Sequence, residues 1–244
     1  LINKKPNEKG GKVFLRGMWQ GAIGGVLVFS SKKMVYEFAQ TENYAWLWSS
    51  KLVNAAGVSI SENAGANQKF LSTWHFNFGF NRIELNFNKS IKLNYKIMPF
   101  ALGSFIYAST KGSFDLEQTI KVGQPFFWTK EISWPDGGFA IANSVVLNKI
   151  LYNDSQSIAH EIIHTYQYQG DVGFNNYYMK QFNQILKKNN SFTKLYKKWI
   201  YTDFNFLVSG GLYYLGSLNN KCYFDNPFEQ EANYYSERLS CSDL

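Results

Sequence analysis

The chain opens polar and turns abruptly apolar. Residues 1–12 are polar and basic and read as a tail, whereas residues 13–30 run Val-Phe-Leu-Arg-Gly-Met-Trp-Gln-Gly-Ala-Ile-Gly-Gly-Val-Leu-Val-Phe-Ser. Gly17, Gly21, Gly24 and Gly25 would let another backbone come close, as in a packed helix hairpin or a bent strand. Residues 32–62 have helical spacing, with Val35, Phe38 and Ala39 followed by Tyr44, Trp46, Leu47 and Trp48. Asn and Gly within 64–67 end that segment.

From residue 74 to 130 the period changes to two. Ile91, Leu93, Tyr95 and Ile97 alternate with Lys92, Asn94 and Lys96, and Phe114, Leu116 and residues 119–122 extend the pattern. This predicts half-buried antiparallel strands. Trp134-Pro135-Asp136-Gly137-Gly138 predicts a turn, and residues 139–147 a strand. From Ser155 onward the period is helical. Asp154 or Ser155 caps a helix over 155–169 that Gly170 closes. Further helices are predicted over 176–188 and 192–201, with a less regular segment over 204–218. A last helix runs from Pro227, well suited to a first turn, to about residue 239. The order predicts an α+β protein in three stretches: an apolar, glycine- and aromatic-rich region (1–72), an antiparallel β region ending in a cleft-edge strand (73–150) and a helical core (151–244).

Composition sharpens this picture in two places. Aromatic residues make up 18% of the chain and charged residues no more than that. Either the core is unusually aromatic, or part of the surface meets lipid or a large partner. The net charge is +7, yet the lysines are scattered and there is no Arg-rich run or nucleic-acid signature, so nucleic acid is not an expected partner. The longest uncharged runs, 17–31 and 204–220, fall short of a comfortable helical membrane span. Cys222 and Cys241 are the only cysteines. They would form a disulfide in an oxidising compartment or remain thiols in a reducing one.

The chemistry concentrates in residues 160–164, His-Glu-Ile-Ile-His, which use two of the chain's 3 histidines. Histidines four apart share a helix face, so both imidazoles can reach one ion. Glu161 beside the first can take a proton from a zinc-activated water. Two histidines merely hydrogen-bonded on a buried helix would give the same pattern. A catalytic zinc needs a third protein ligand and an open position. The metzincin pattern is excluded, because Gln167 and Gly170 stand where it requires glycine and histidine. Asp171 is a weak alternative ligand.

The later segment Glu229-Gln230-Glu231-Ala232-Asn233 makes the resemblance specific. The chain resembles the gluzincins, zinc peptidases that pair a His-Glu-x-x-His helix with a Glu-x-x-Ala-Asp or Glu-x-x-Ala-Asn helix. The resemblance implies a zincin-like helical core and Zn2+ held by His160, His164 and Glu229, with Glu161 as the catalytic base. Ala232 would be the small residue between packed helices, and Asn233 would hold a ligand histidine in its tautomer. Glu231 competes for the ligand role, but two positions from Glu229 it cannot face the same ion from one helix. The strand over 139–147 would border the cleft and pair with an extended peptide.

Gln167 falls one turn after His164 and could support it or lie exposed. Tyr166, Tyr168, Tyr234 and Tyr235 are available as oxyanion donors, with nothing to choose among them. His75 reads as structural or surface, and Asp203 either binds His164 or caps a helix, capping being favoured. The function these residues imply is a zinc metallopeptidase acting on a peptide or protein. The alternative is a catalytically silent zincin-fold subunit of a bacterial cell-envelope assembly, with membrane or outer-membrane protein partners. The aromatic, glycine-rich first half points to a bacterial cell envelope location, periplasmic or outer-membrane associated.

Overall fold

The computed structural model describes residues 3–238 apart from 89, 131–136, 187–189, 219 and 221. The predicted turn at Trp134, Pro135 and Asp136, and Cys241, therefore lie outside the described residues; Cys222 is disulfide-bonded. The last helix ends at Ser236, short of the predicted 239, because Glu237 turns left-handed (φ 55°) and closes it. The chain is α+β. Two long helices, α1 (Gly10–Thr41) and α2 (Ala45–Gly65), lead into a three-stranded antiparallel sheet of β1 (Thr73–Phe78), β2 (Asn81–Asn86) and β3 (Lys92–Ile97). Helices α3 (Pro99–Lys111) and α4 (Leu116–Val122) flank the short strand β4 (Ser113–Phe114). With β5 (Phe126–Thr129), β6 (Gly138–Ile141) and β7 (Ser144–Asn148), β4 forms a second sheet of order β4-β5-β7-β6. This sheet is mixed: β5 and β7 run parallel and the other pairs antiparallel. Helices α5 (Ser155–Gly170), α6 (Val172–Leu186), α7 (Asn190–Trp199), α8 (Asn205–Ser217) and α9 (Pro227–Ser236) complete the fold.

The N-terminal glycines resolve in favour of a helix hairpin. Only Gly24 of the four is a close-approach position: a Cβ there would meet the Gly57 carbonyl oxygen at 2.8 Å, while Gly17, Gly21 and Gly25 face open space. The uncharged run 17–31 belongs to a 32-residue helix that is long and apolar enough to cross a membrane by length and composition, which corrects the shorter span read from the run alone.

Three strand expectations are corrected. Residues 99–111 form a helix because Pro99 opens it and buried Ala101, Ser104 and Ala108 have helical spacing. Residues 116–122 also form a helix: the Asp115 side chain accepts the Gln118 N–H, and Gly123, at φ 73°, ends it. These caps outweigh the β preference of Thr119, Ile120 and Val122. Residues 139–147 are not one strand but the β6–β7 hairpin, turned at Ala142 (φ 49°) and at buried Asn143, which bonds Gly79 O and Gln169. Helix α5 ends at Gly170, the residue expected to close it, and Asp171 is its C-cap.

The first sheet is inverted relative to the alternation. Ile83, Leu93 and Tyr95 are exposed, while Arg82, Glu84 and His75 are buried. Arg82 pays its desolvation cost through Glu62 and Glu84, each at 2.7 Å, and by stacking on Tyr201, 3.7 Å from the ring centroid. A lattice of ion pairs thus occupies the inner face where the pattern predicts apolar side chains.

Residues from all three stretches share the main core: Val35 and Phe38 of α1, Phe126, Val145 and Leu147 of the second sheet, Ile158, Ile162 and Ile163 of α5, and Ala232 of α9. This core surrounds α5 and sets its position.

One buried cation stands outside these networks. Lys51 of α2 is 3% exposed, and its Nζ has no hydrogen-bond partner among the described residues, resting instead over Phe76 and Phe78. Burial pushes its pKa from 10.5 down to about 7. Between those pH values the unfolded chain binds one proton that the folded chain does not. The destabilisation is therefore complete below pH 7 and fades as pH rises toward 10.5. Lys51→Met is expected to raise stability at pH 7 by about 2 kcal/mol, with the gain shrinking by pH 10. Urea unfolding at both pH values checks this, and an equal loss of stability at both would contradict it.

Candidate metal centre

Helix α5 starts where Asp154 accepts the Gln156 N–H at 3.1 Å, and almost all of its residues are buried. It is a core helix with polar groups on one face. His160 and His164 lie one turn apart there, with His160 and Glu161 almost fully buried. Helix α9 starts at Asn226, which accepts the Phe228 N–H at 2.9 Å and ties itself to α8 through Tyr213 O and Ser217. Pro227 takes the first turn, and Glu229 follows it, 1% exposed. Ala232 is fully buried in the core between α5 and α9, where its small side chain permits close packing.

His160, His164 and Glu229 converge. Glu229 Oε2 lies 3.1 Å from His160 Nε2 and 3.3 Å from His164 Nε2, and the two Nε2 atoms are 3.1 Å apart. Donors held at about 2.0–2.1 Å around one tetrahedral ion sit ~3.3 Å from each other. Spacing and donor chemistry therefore both fit a metal ion held by His160, His164 and Glu229.

The charges are set by this packing. Burial would push Glu229 up, but hydrogen bonds to both histidines and their charge hold it well below the carboxylate range. Burial lowers His160 to about 4. The same burial acts on His164, but the bond to Glu229 and the charges of Glu229 and Glu161 outweigh it and raise His164 to about 9. A metal ion would displace the proton that the carboxylate now holds on the pair.

The supporting residues separate clearly. Gln167 Oε1 accepts from His164 Nδ1 at 2.8 Å, turning Nε2 toward Glu229. The Gln167 amide donates to Phe228 O and to Glu231 Oε2, clamping α5 to α9. Glu231 is thereby turned away and also pairs with Lys32 of α1 at 2.7 Å. Asp171 is likewise elsewhere, bonded to Ser209. Asn233 does not hold a histidine tautomer: its buried Oδ1 accepts no hydrogen bond among the described residues. His75 is buried against Ser59 and Glu62 in the separate ion lattice. Asp203 caps α3, accepting the N–H groups of Phe100 and Ala101, and does not bond His164.

None of the four tyrosines singled out from the sequence brings its hydroxyl to Glu229. Tyr166 bonds Ser50, Tyr168 bonds Asp203, Tyr234 meets Lys33 and Tyr235 packs in the core. Tyr213 of α8 and Tyr223 donate instead to Glu229 Oε1, at 2.7 and 2.8 Å. They occupy Oε1 and leave Oε2 to face the histidines. Tyr213 lies in an uncharged helix and Tyr223 in a short loop, so no periodicity marks either of them.

The group opens into a cavity of about 520 Å3. Residues 138–142 form one wall, Phe206, Tyr213 and Phe228 another, and Glu161, His164 and Glu229 lie at its polar end. Strand β6 is the last strand of its sheet among the described residues and lines that wall. A larger surface cleft of about 600 Å3, near Lys111, Trp128 and Lys149, contains none of these groups. Comparison of the chain with protein-family models, curated proteins and solved structures finds no match.

Proposed function

We propose that this protein is a zinc-dependent metallopeptidase of gluzincin type. The convergence of His160, His164 and Glu229 within 3.1–3.3 Å, beside a cavity that also holds Glu161, carries the reading. Zinc in such a donor set acts as a Lewis acid that polarises a carbonyl and brings the pKa of water near 7. Glu161 takes the proton of the attacking water and passes it to the leaving amine nitrogen. The substrate peptide lies in the cavity that β6 helps to line, which brings its carbonyl to Glu161, His164 and Glu229.

Two tests follow from the site's own residues. Zinc-loaded protein is expected to cleave a mixture of unfolded polypeptides, with new termini read by mass spectrometry and activity lost on chelation; a zinc-loaded protein that cleaves none contradicts the proposal. Tyr213→Phe with Tyr223→Phe is expected to weaken zinc binding by about tenfold, since Glu229 loses both groups that orient it. Chelator competition measures this, and unchanged affinity would contradict the orienting role.

The second reading, a silent subunit of a bacterial envelope assembly, is favoured by one observation: the exposed apolar residues of α1, among them Phe14, Val26 and Phe29. It predicts no turnover, with or without bound zinc, so cleavage by the zinc-loaded protein excludes it. On either reading the same helix supports a location at the cell envelope.

A further inference from the structure

Helix α1 covers α2 with one side and is bare on the other. Phe14, Leu15, Met18, Ile23, Val26 and Phe29 are 40–64% exposed. At 100° per residue they spread over one half of the helix circumference. From Lys9 to Tyr36 the sequence contains no acidic residue. At the N-terminal end of the bare face, Lys4, Lys5, Lys9 and Lys12 are all exposed, and Glu8, the one acidic residue in the sequence before Glu37, pairs with Arg16. Near the same end, Val13, Phe14 and Met18 share a groove with Tyr177 of α6.

We propose that this face of α1 docks on an anionic lipid bilayer and lies in its interface rather than crossing it. The apolar half-cylinder matches the acyl boundary and the lysine cluster matches anionic headgroups. Crossing is disfavoured by the fold. α1 meets α2 at the Gly24–Gly57 contact, and α2 carries buried Lys51 and Asn54 and packs on the first sheet. The other half of α1 thus belongs to the protein core. Helix α8 packs on α6, is uncharged, exposes Leu207 and Leu215, and lines the cavity with Ser209, Gly210 and Tyr213. If the peptidase reading holds, on which only this clause rests, the substrates are polypeptides held near a membrane surface.

The test is co-sedimentation of the full chain with vesicles of phosphatidylcholine, alone or with about one third phosphatidylglycerol. Glu161→Gln protein gives the same readout without turnover, so failure here is distinguishable from failure of the peptidase reading. Wild type is expected to bind the anionic vesicles, more weakly as salt rises. Ile23→Gln with Val26→Gln and Phe29→Gln should weaken binding at least tenfold at an unchanged melting temperature. Lys5→Gln with Lys9→Gln and Lys12→Gln should weaken it several-fold and remove most of the salt dependence. Lack of wild-type binding to either vesicle, or binding unaffected by the apolar substitutions, overturns the proposal. So does a stable lipid-free dimer that the apolar substitutions convert to monomer, because the face would then be covered by a second copy.

Discussion

Replacing Glu161 by Gln is expected to lower peptide hydrolysis by on the order of 10^3-fold while leaving the zinc content unchanged. Glu161 stands beside His160 on α5 and lines the cavity, but it is not among the three groups whose donor atoms converge. Gln keeps its size and loses its basicity, so the attacking water keeps its proton and the leaving amine receives none. The residue is 1% exposed, and an isosteric amide disturbs the packing least. Hydrolysis rates on one peptide, with zinc measured in the same samples, decide the matter. A variant that retains activity within about tenfold would remove Glu161 from the reaction.

The second large effect concerns which carboxylate binds the metal. Glu229→Ala is expected to weaken zinc binding on the order of 10^3-fold, whereas Glu231→Ala should stay within a few-fold of wild type. Glu229 is the group with an oxygen facing both Nε2 atoms, while Glu231 is engaged by Lys32 and Gln167. Glu229→Gln serves as a volume-preserving control for the empty space that Ala leaves. Competition against a chromogenic chelator reads all three variants. The reverse order, with Glu231 the costly loss, would move the ligand to the other carboxylate.

What could be read from the sequence was what local physics determines. The α5 motif depends on a four-residue spacing and the Asp154 cap, and α9 on Asn226 and Pro227; all act within a turn or two. The preference for Glu229 over Glu231 rests on the resemblance to the gluzincin Glu-x-x-Ala-Asn pattern, and the fold turns the two in different directions. The parts missed depend on distant chain segments. Tyr213 and Tyr223 reach Glu229 because α8 and the loop before α9 fold over it. Asp203 caps a helix about a hundred residues earlier, which no local pattern reveals. Alternation in the first sheet misled because Arg82 and Glu84 find partners inside, so charged residues face inward. The helices at 99–111 and 116–122 run against the period-two pattern of the preceding strand, and their signals, Pro99, Asp115 and Gly123, are each a single residue set against that pattern. In the 139–147 stretch the turn falls at Ala142 and Asn143, with no glycine to mark it.

Everything proposed for the site depends on one ion. The most direct measurement is zinc per chain, by elemental analysis of the purified protein before and after reconstitution with zinc. One zinc per chain, reduced to near zero in His160→Ala and His164→Ala variants that keep the wild-type circular dichroism, is the expected result. A wild-type chain that takes up no zinc even after reconstitution would contradict the metal centre and with it the peptidase.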